Sequence, residues 1–279
     1  MRYSIGFLTP FKHLPEFTKY AFSKCKIIDI TSIKKEEINY FKGIDFLFAA
    51  PNYLNYSIEE HHIKDTNLKG ILSPSTGINH INVKSIPVIN IKKDKVLESI
   101  TSTAEHNLYL MLSILRQTNN IQELSELNLG ILGYGRLGKI LHNICKPIFK
   151  KISICDIDYM HENFFEDTDI LSINIDLTEK NINFVNKKYL DKFNKKLFIV
   201  NTARGEVVNE DELLDQIYEG KVLGYATDVI KEEYSGKATN IKITSDYRII
   251  RTPHIGGTAL QAQEKAYKRT LEKLLSYEF

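Results

Sequence analysis

The stretch from Leu129 to Asp156 constrains the fold of this chain more than any other. It reads Leu129-Gly-Ile-Leu132, then Gly133-Tyr134-Gly135-Arg136-Leu137-Gly138, a helix-like run from Lys139, and an apolar run Lys151-Ile-Ser-Ile-Cys155 closed by Asp156. Strand, glycine turn, helix, strand and acid in that order predict a dinucleotide-binding unit. Gly133 permits the tight turn, Gly135 lets backbone amides approach a pyrophosphate, and Gly138 allows the helix to pack closely on the strand. The helix start supplies unpaired N–H groups and a partial positive charge, which favour a bridging phosphate. Asp156, roughly 20 residues beyond the glycines, is placed to accept hydrogen bonds from the 2′ and 3′ hydroxyls of a ribose. A 2′-phosphate would be repelled there, so NAD is expected over NADP.

The 279 residues are enough for two domains with a core each. From the N-terminus, apolar runs alternate with helical patterns, which predicts α/β architecture with parallel sheets. Candidate strands are Arg2–Leu8, Lys26–Ile30, Ile44–Ala49, Gly70–Ser73 and Val88–Ile91, with helices near Glu16–Ser23, Lys34–Phe41 and Ile58–Lys64. Ser102 with Glu105 three positions on reads as a capping box opening a mostly buried helix through Leu108–Leu115. The crossover into the second domain is placed near Ser99.

A net charge of +2, with lysine pairs scattered along the chain, gives no stripe for nucleic acid. No apolar run approaches the roughly 20 residues of a membrane span, and the first ten residues read as a strand, not a signal peptide. Cys25, Cys145 and Cys155 show no metal or redox spacing and read as small core residues in a reducing, cytoplasmic setting.

Beyond Asp156, strand after strand stops at a polar residue of distinct chemistry. One ends in Asn201-Thr202-Ala203-Arg204-Gly205, the next at Asp228 with Glu233 shortly beyond, and a third in Thr252-Pro253-His254-Ile255-Gly256-Gly257. In a doubly wound sheet these tips converge on the edge that carries the glycine turn. Arg204 offers a rigid fork of donors for the carboxylate of a small 2-oxo acid. His254 is suited to exchange a proton with the substrate oxygen, and Glu233 to orient its ring. Asp228 is suited to face a nicotinamide. His13, His61, His62, His80, His106, His142 and His161 have no such setting and read as surface or capping residues.

In this order, these motifs resemble the D-isomer-specific 2-hydroxyacid dehydrogenases. Ser75-Thr-Gly-Ile-Asn-His-Ile81 and Ser102–His106 resemble that family's substrate loop and domain-crossing helix. The resemblance implies catalysis by Arg204, Glu233 and His254, with Thr76, Gly77, Arg204 and His254 binding substrate. It implies NAD contacts from Gly133, Tyr134, Gly135, Arg136, Leu137, Gly138, Asp156, Asn174, Ile175, Thr202, Ala203, Asp228, Gly256 and Gly257. It further implies two doubly wound parallel-sheet domains, a Rossmann-type cofactor domain (99–257) inserted in a flavodoxin-like substrate domain (1–98 with 258–279), and a homodimer. The expected activity is hydride transfer between NAD(H) and a D-2-hydroxy acid/2-oxo acid pair, with no metal. The alternative is a NAD(H)-sensing or catalytically weak homologue acting as a binding protein.

Overall fold

The computed structural model describes residues 2–34, 37, 43–54, 56–120, 122–235 and 245–277. The chain divides into two compact units. One comprises Met1–Ile100, Tyr234–Gly236 and Gly257–Phe279, the other Thr101–Glu233 and Lys237–Gly256.

In the first unit, strands β1 (Ser4–Phe7), β2 (Lys26–Asp29), β3 (Phe46–Phe48), β5 (Gly70–Ser73) and β7 (Val88–Asn90) form a parallel sheet in the order β2-β1-β3-β5-β7. Side chains alternate across it. Phe46 and Phe48 of β3 enter one apolar layer with Phe7, Phe17 and Leu72, while Leu47 enters the opposite layer with Ile30, Ile58 and Ile71. A sheet covered on both faces needs such strands, apolar on both sides. Helix α1 (Pro15–Lys24) and the C-terminal helix (Leu260–Leu275) cover the first face, and Tyr267, Leu271 and Leu274 join that layer. The C-terminal helix also caps α1. The α1 cap position, Leu14, has no side-chain acceptor, and the Glu264 carboxylate instead accepts from the Glu16 and Phe17 amides at 3.1 and 2.6 Å.

The expected helix over 34–41 falls largely outside the described residues. The one expected over 58–64 opens as strand β4 (Ile58–Glu59), paired with β6 (Ile81–Asn82), and only Glu60–Ile63 forms helix α2. The reason is a partner distant in sequence: the Ile58 amide donates to the His80 carbonyl at 2.8 Å and so belongs to the strand pair.

The second unit opens with helix α3 (Ser102–Gln117), followed by a seven-stranded sheet. Its strands are β8 (Asn128–Leu132), β9 (Lys151–Asp156), β10 (Tyr159–Met160), β11 (Ile170–Ile173), β12 (Leu197–Asn201), β13 (Val222–Thr227) and β14 (Ile249–Arg251), in the order β10-β9-β8-β11-β12-β13-β14. Only the β9–β10 pairing is antiparallel. Along β12, Leu197 and Ile199 face one core layer with helices α5 (Lys187–Leu190) and α6 (Glu210–Tyr218). Phe198 and Val200 face the other, with α3 and α4 (Arg136–Cys145).

Register brings the strand ends level. Cys155 pairs with Leu132, Leu132 with Ile173, Ile173 with Asn201, Asn201 with Thr227, and Thr227 with Arg251. Six neighbouring strands therefore release their loops along one row.

Two sequence expectations shift. α4 starts at Arg136, not Lys139, because Gly135 already occupies the cap position and the Lys139 amide closes the first turn onto the Gly135 carbonyl at 3.0 Å. The capping box of Ser102 and Glu105 does not form: Ser102 is a buried helical residue, the cap is Thr101, and its hydroxyl donates to Glu105 at 2.5 Å.

Candidate active site

Each predicted residue of the second unit sits at the end of a strand of that row, on the loop that leaves it, or in the first turn of α4. Gly133 follows β8 with φ +93, and its amide donates to the Cys155 carbonyl at 2.8 Å. A Cβ on Gly138 would lie 2.2 Å from the Gly133 carbonyl oxygen, so α4 approaches the turn as closely as only glycine permits. A Cβ on Gly135 would meet open space, so this glycine leaves a cradle on the turn's outer side. Behind it the N-terminus of α4 has no side-chain cap. Burial draws the Arg136 pKa below its ordinary value while the Asp176 carboxylate opposes the shift, and a partly desolvated cation of this kind suits a phosphate. At the end of β9 the Asp156 carboxylate accepts from the Tyr134 amide at 2.9 Å and the Ile157 amide at 2.8 Å. Its lone pairs exceed these two bonds, so it can still accept from a ribose. An open cradle, an uncapped helix start and a fixed carboxylate together fit the pyrophosphate and ribose of NAD.

Asn174 and Ile175 follow β11. The Asn174 side chain donates to Ser172 Oγ at 2.9 Å, and Ile175 packs on the core layer behind Gly133. After β12, the Asn201 side chain brackets the loop, accepting from the Ala203 amide at 3.0 Å and donating to the Arg204 carbonyl at 2.9 Å. Buried Thr202 accepts from Asn107 at 2.8 Å, and an Arg204 N–H donates to the Ala203 carbonyl at 2.6 Å. The loops after β12 and β13 touch: a Cβ on Gly205 would lie 1.9 Å from the Ile230 carbonyl carbon.

Beyond β13 and β14 the acid and the imidazole meet. His254 Nδ1 lies 2.9 and 3.1 Å from the two carboxylate oxygens of Glu233. Both residues are largely buried, at 16% and 21% side-chain exposure. His254 itself and Glu232, next to Glu233, adopt left-handed φ values of +54, a conformation uncommon outside glycine. Such backbone persists where the surroundings over-determine it. Here the surroundings include Asp228, 2% exposed, whose carboxylate accepts from the Ile255 amide at 2.8 Å, the Gly256 amide at 2.7 Å and the Thr252 hydroxyl at 2.6 Å. Burial pushes the Asp228 carboxyl up, but hydrogen bonds from His106, Thr252 and the Gly256 amide, with the charge of His254, outweigh it and hold the pKa below the usual carboxylate value.

Thr76, Gly77 and Gly257 belong to the first unit. Ser75 Oγ donates to the Gly77 carbonyl at 2.7 Å and lies 2.8 Å from Ser73 Oγ.

Two residues on α3 were missed in the sequence. Asn107 accepts from Ser172 and donates to Thr202, and His106, read as surface or capping, lies against Asp228 and Thr252. The signal for both was present as adjacent polar residues inside an apolar helix. Among the described residues, no cluster of three or more histidine, cysteine or acidic side chains is placed to hold a metal ion, and no helix is long and apolar enough to cross a membrane.

The hydroxypyruvate reductase of Thermotoga maritima is 28% identical over 239 residues, covering 75% of this chain and 77% of that protein. The D-specific alpha-keto acid dehydrogenase of Enterococcus faecium is 23% identical over 250 residues, covering 77% and 78%. In fold, the chain is similar to the NAD+-bound 3-phosphoglycerate dehydrogenase of Entamoeba histolytica, with a TM-score of 0.78 over 98% of this chain and 94% of that one at 21% identity. Residues 96–256 match the NAD binding domain of D-isomer specific 2-hydroxyacid dehydrogenases. With the glycine turn, the fixed Asp156 and the Glu233–His254 pair on one sheet edge, the chain belongs to the D-isomer specific 2-hydroxyacid dehydrogenase family.

Proposed function

We propose that this chain interconverts a small D-2-hydroxy acid and its 2-oxo acid, with Arg204, Glu233 and His254 as the reacting set and reduction dominant at neutral pH. Bound NADH supplies the hydride, and NAD+ accepts it in the reverse direction. The glycine turn and the start of α4 would hold the pyrophosphate and Asp156 the adenosine ribose. Asn174, Ile175, Thr202, Ala203, Asp228, Gly256 and Gly257 are assigned to the rest of the cofactor. Arg204 pairs with the substrate carboxylate through its fork of donors and so orients the carbonyl. Glu233 accepts a hydrogen bond from the Nδ1–H of His254, which leaves Nε2 of the imidazolium to pass its proton to the carbonyl oxygen, or Nε2 of the neutral ring to take one from the alcohol. By family resemblance, backbone groups of Thr76 and Gly77 also serve the substrate.

The observation that carries this reading is the 2.9 Å contact between His254 and Glu233 on loops leaving the same row as the glycine turn. It is tested by NADH oxidation with glyoxylate, hydroxypyruvate, pyruvate, phenylpyruvate and 3-phosphohydroxypyruvate. Turnover of at least one is expected, and tight NADH binding without any turnover would favour a sensor. Arg204→Ala should raise KM and lower kcat, whereas His254→Ala should lower kcat on the order of 100-fold or more with little change in KM. Unchanged kcat/KM in both would contradict the assignment.

A homodimer and a cytoplasmic setting belong to the same reading. The dimer is supported by the family and by Tyr109 and Leu112, which expose an apolar stripe on α3. The cytoplasm is supported by three cysteines that remain thiols. Sedimentation and cell fractionation test them; a monomer or a secreted protein would refute the respective claim.

A further inference from the structure

The side chain of His106, only 12% exposed, points from α3 into the hydrogen bonds beneath the loop that carries His254. Its Nε2 lies 2.9 Å from Thr252 Oγ1 and 3.3 Å from Asp228 Oδ1. Thr252 directs its single hydroxyl proton to Asp228 Oδ1. An ionised carboxylate has no proton to give, so both neighbours of Nε2 can only accept. Nε2 of His106 must therefore carry a hydrogen, and donor counting establishes this without recourse to any other contact.

The consequence reaches His254. Thr252, Ile255 and Gly256 bracket His254 in sequence, and all three donate to the one Asp228 carboxylate. A Cβ on Gly256 would stand 2.9 Å from Asp228 Oδ2 and 3.4 Å from the His106 ring, so the loop lies directly on this pair. His254 keeps a left-handed backbone, which a loop tied at a single point would relax. We infer that His106 is a positioning residue for proton transfer by His254, its Nε2 hydrogen holding Asp228 and Thr252 and, through them, residues 252–256 in the reactive geometry. The inference rests on the reading of His254 as the acid/base.

The test uses the full chain with NADH and whichever 2-oxo acid of the panel it turns over best. His106→Leu removes the donor at similar bulk; kcat should fall on the order of tenfold while KM for the oxo acid stays within about twofold, since the Arg204 fork is untouched. His106→Gln returns an amide hydrogen at about the reach of Nε2 and should restore most of kcat, which a purely packing role would not produce. Thr252→Val should resemble His106→Leu, and the double variant should be no worse than either single one, because the two act through one carboxylate. Full kcat in His106→Leu, a loss that glutamine does not restore, or additive losses would each overturn the positioning role. If His106→Leu fails to fold, Thr252→Val and His106→Gln decide alone: lowered kcat in the first with near-normal kcat in the second supports the role, and any other pairing overturns it. Arg204→Ala and His254→Ala are assayed alongside. If those two are impaired and the His106 series is not, the inference falls and the active-site reading stands; if those two are fully active, the reading itself falls.

Discussion

At the scale of single residues, Asp228 has the most consequential surroundings. A carboxyl whose folded pKa lies below its unfolded value contributes stability that is present above the unfolded value and lost as pH falls through the folded one. The unfolded value is about 3.9. Asp228→Asn should therefore destabilise the protein at pH 7, and its difference from the parent should shrink as pH drops below about 4. Urea denaturation at several pH values checks this; a difference that stays constant with pH would show that the shift contributes nothing. Arg204, Glu233 and His254 were legible in the sequence because each is a reactive type just past an apolar run, and a doubly wound sheet gathers such positions. His106 was not. Its partners lie 122 and 146 positions away in sequence, and its own surroundings read as the interior of an apolar helix.

Among the elements, the turn between β8 and α4 makes the sharpest prediction. A methyl group at position 138 would collide with a backbone oxygen at 2.2 Å, so Gly138→Ala must push α4 away from the turn. NADH affinity should fall on the order of tenfold, and stability by about 1 to 3 kcal/mol. Titration of NADH fluorescence and denaturation measure the two, and normal affinity would deny the turn its role. Apolar periodicity located the five strands of the first sheet and α1 to within a few residues, but it gave no sign of β4, β6, β10 or the helix Glu210–Tyr218, and the ends of elements followed other rules. α4 began earlier than its apolar run because glycine-turn residues already have helical partners. α1 takes its cap from Glu264, 247 positions away, which no local pattern announces.

For the molecule as a whole, cofactor binding is linked to folding. NADH at about one hundred times its Kd should add about 2.7 kcal/mol of stability, seen as a raised Tm. NADPH at the same concentration should add much less, because Asp156 would face its 2′-phosphate. Equal shifts from the two would count against Asp156. The alternation of strands and helices announced parallel sheets in both halves of the chain. It did not announce the strand order, which depends on side-chain packing between elements far apart in sequence.

The level row of strand ends from Cys155 to Arg251 has a bearing on how such a chain diverges. The ladder partners stop where the reactive groups begin, so a connection can be lengthened, shortened or exchanged without breaking a rung of the sheet. Side chains on these connections can then be exchanged while the sheet that carries them stays put. A variant library confined to residues 231, 253 and 255, with Arg204, Gly205, Asp228, Glu233, Thr252 and His254 kept, would sample new side chains beside the site on an unchanged sheet.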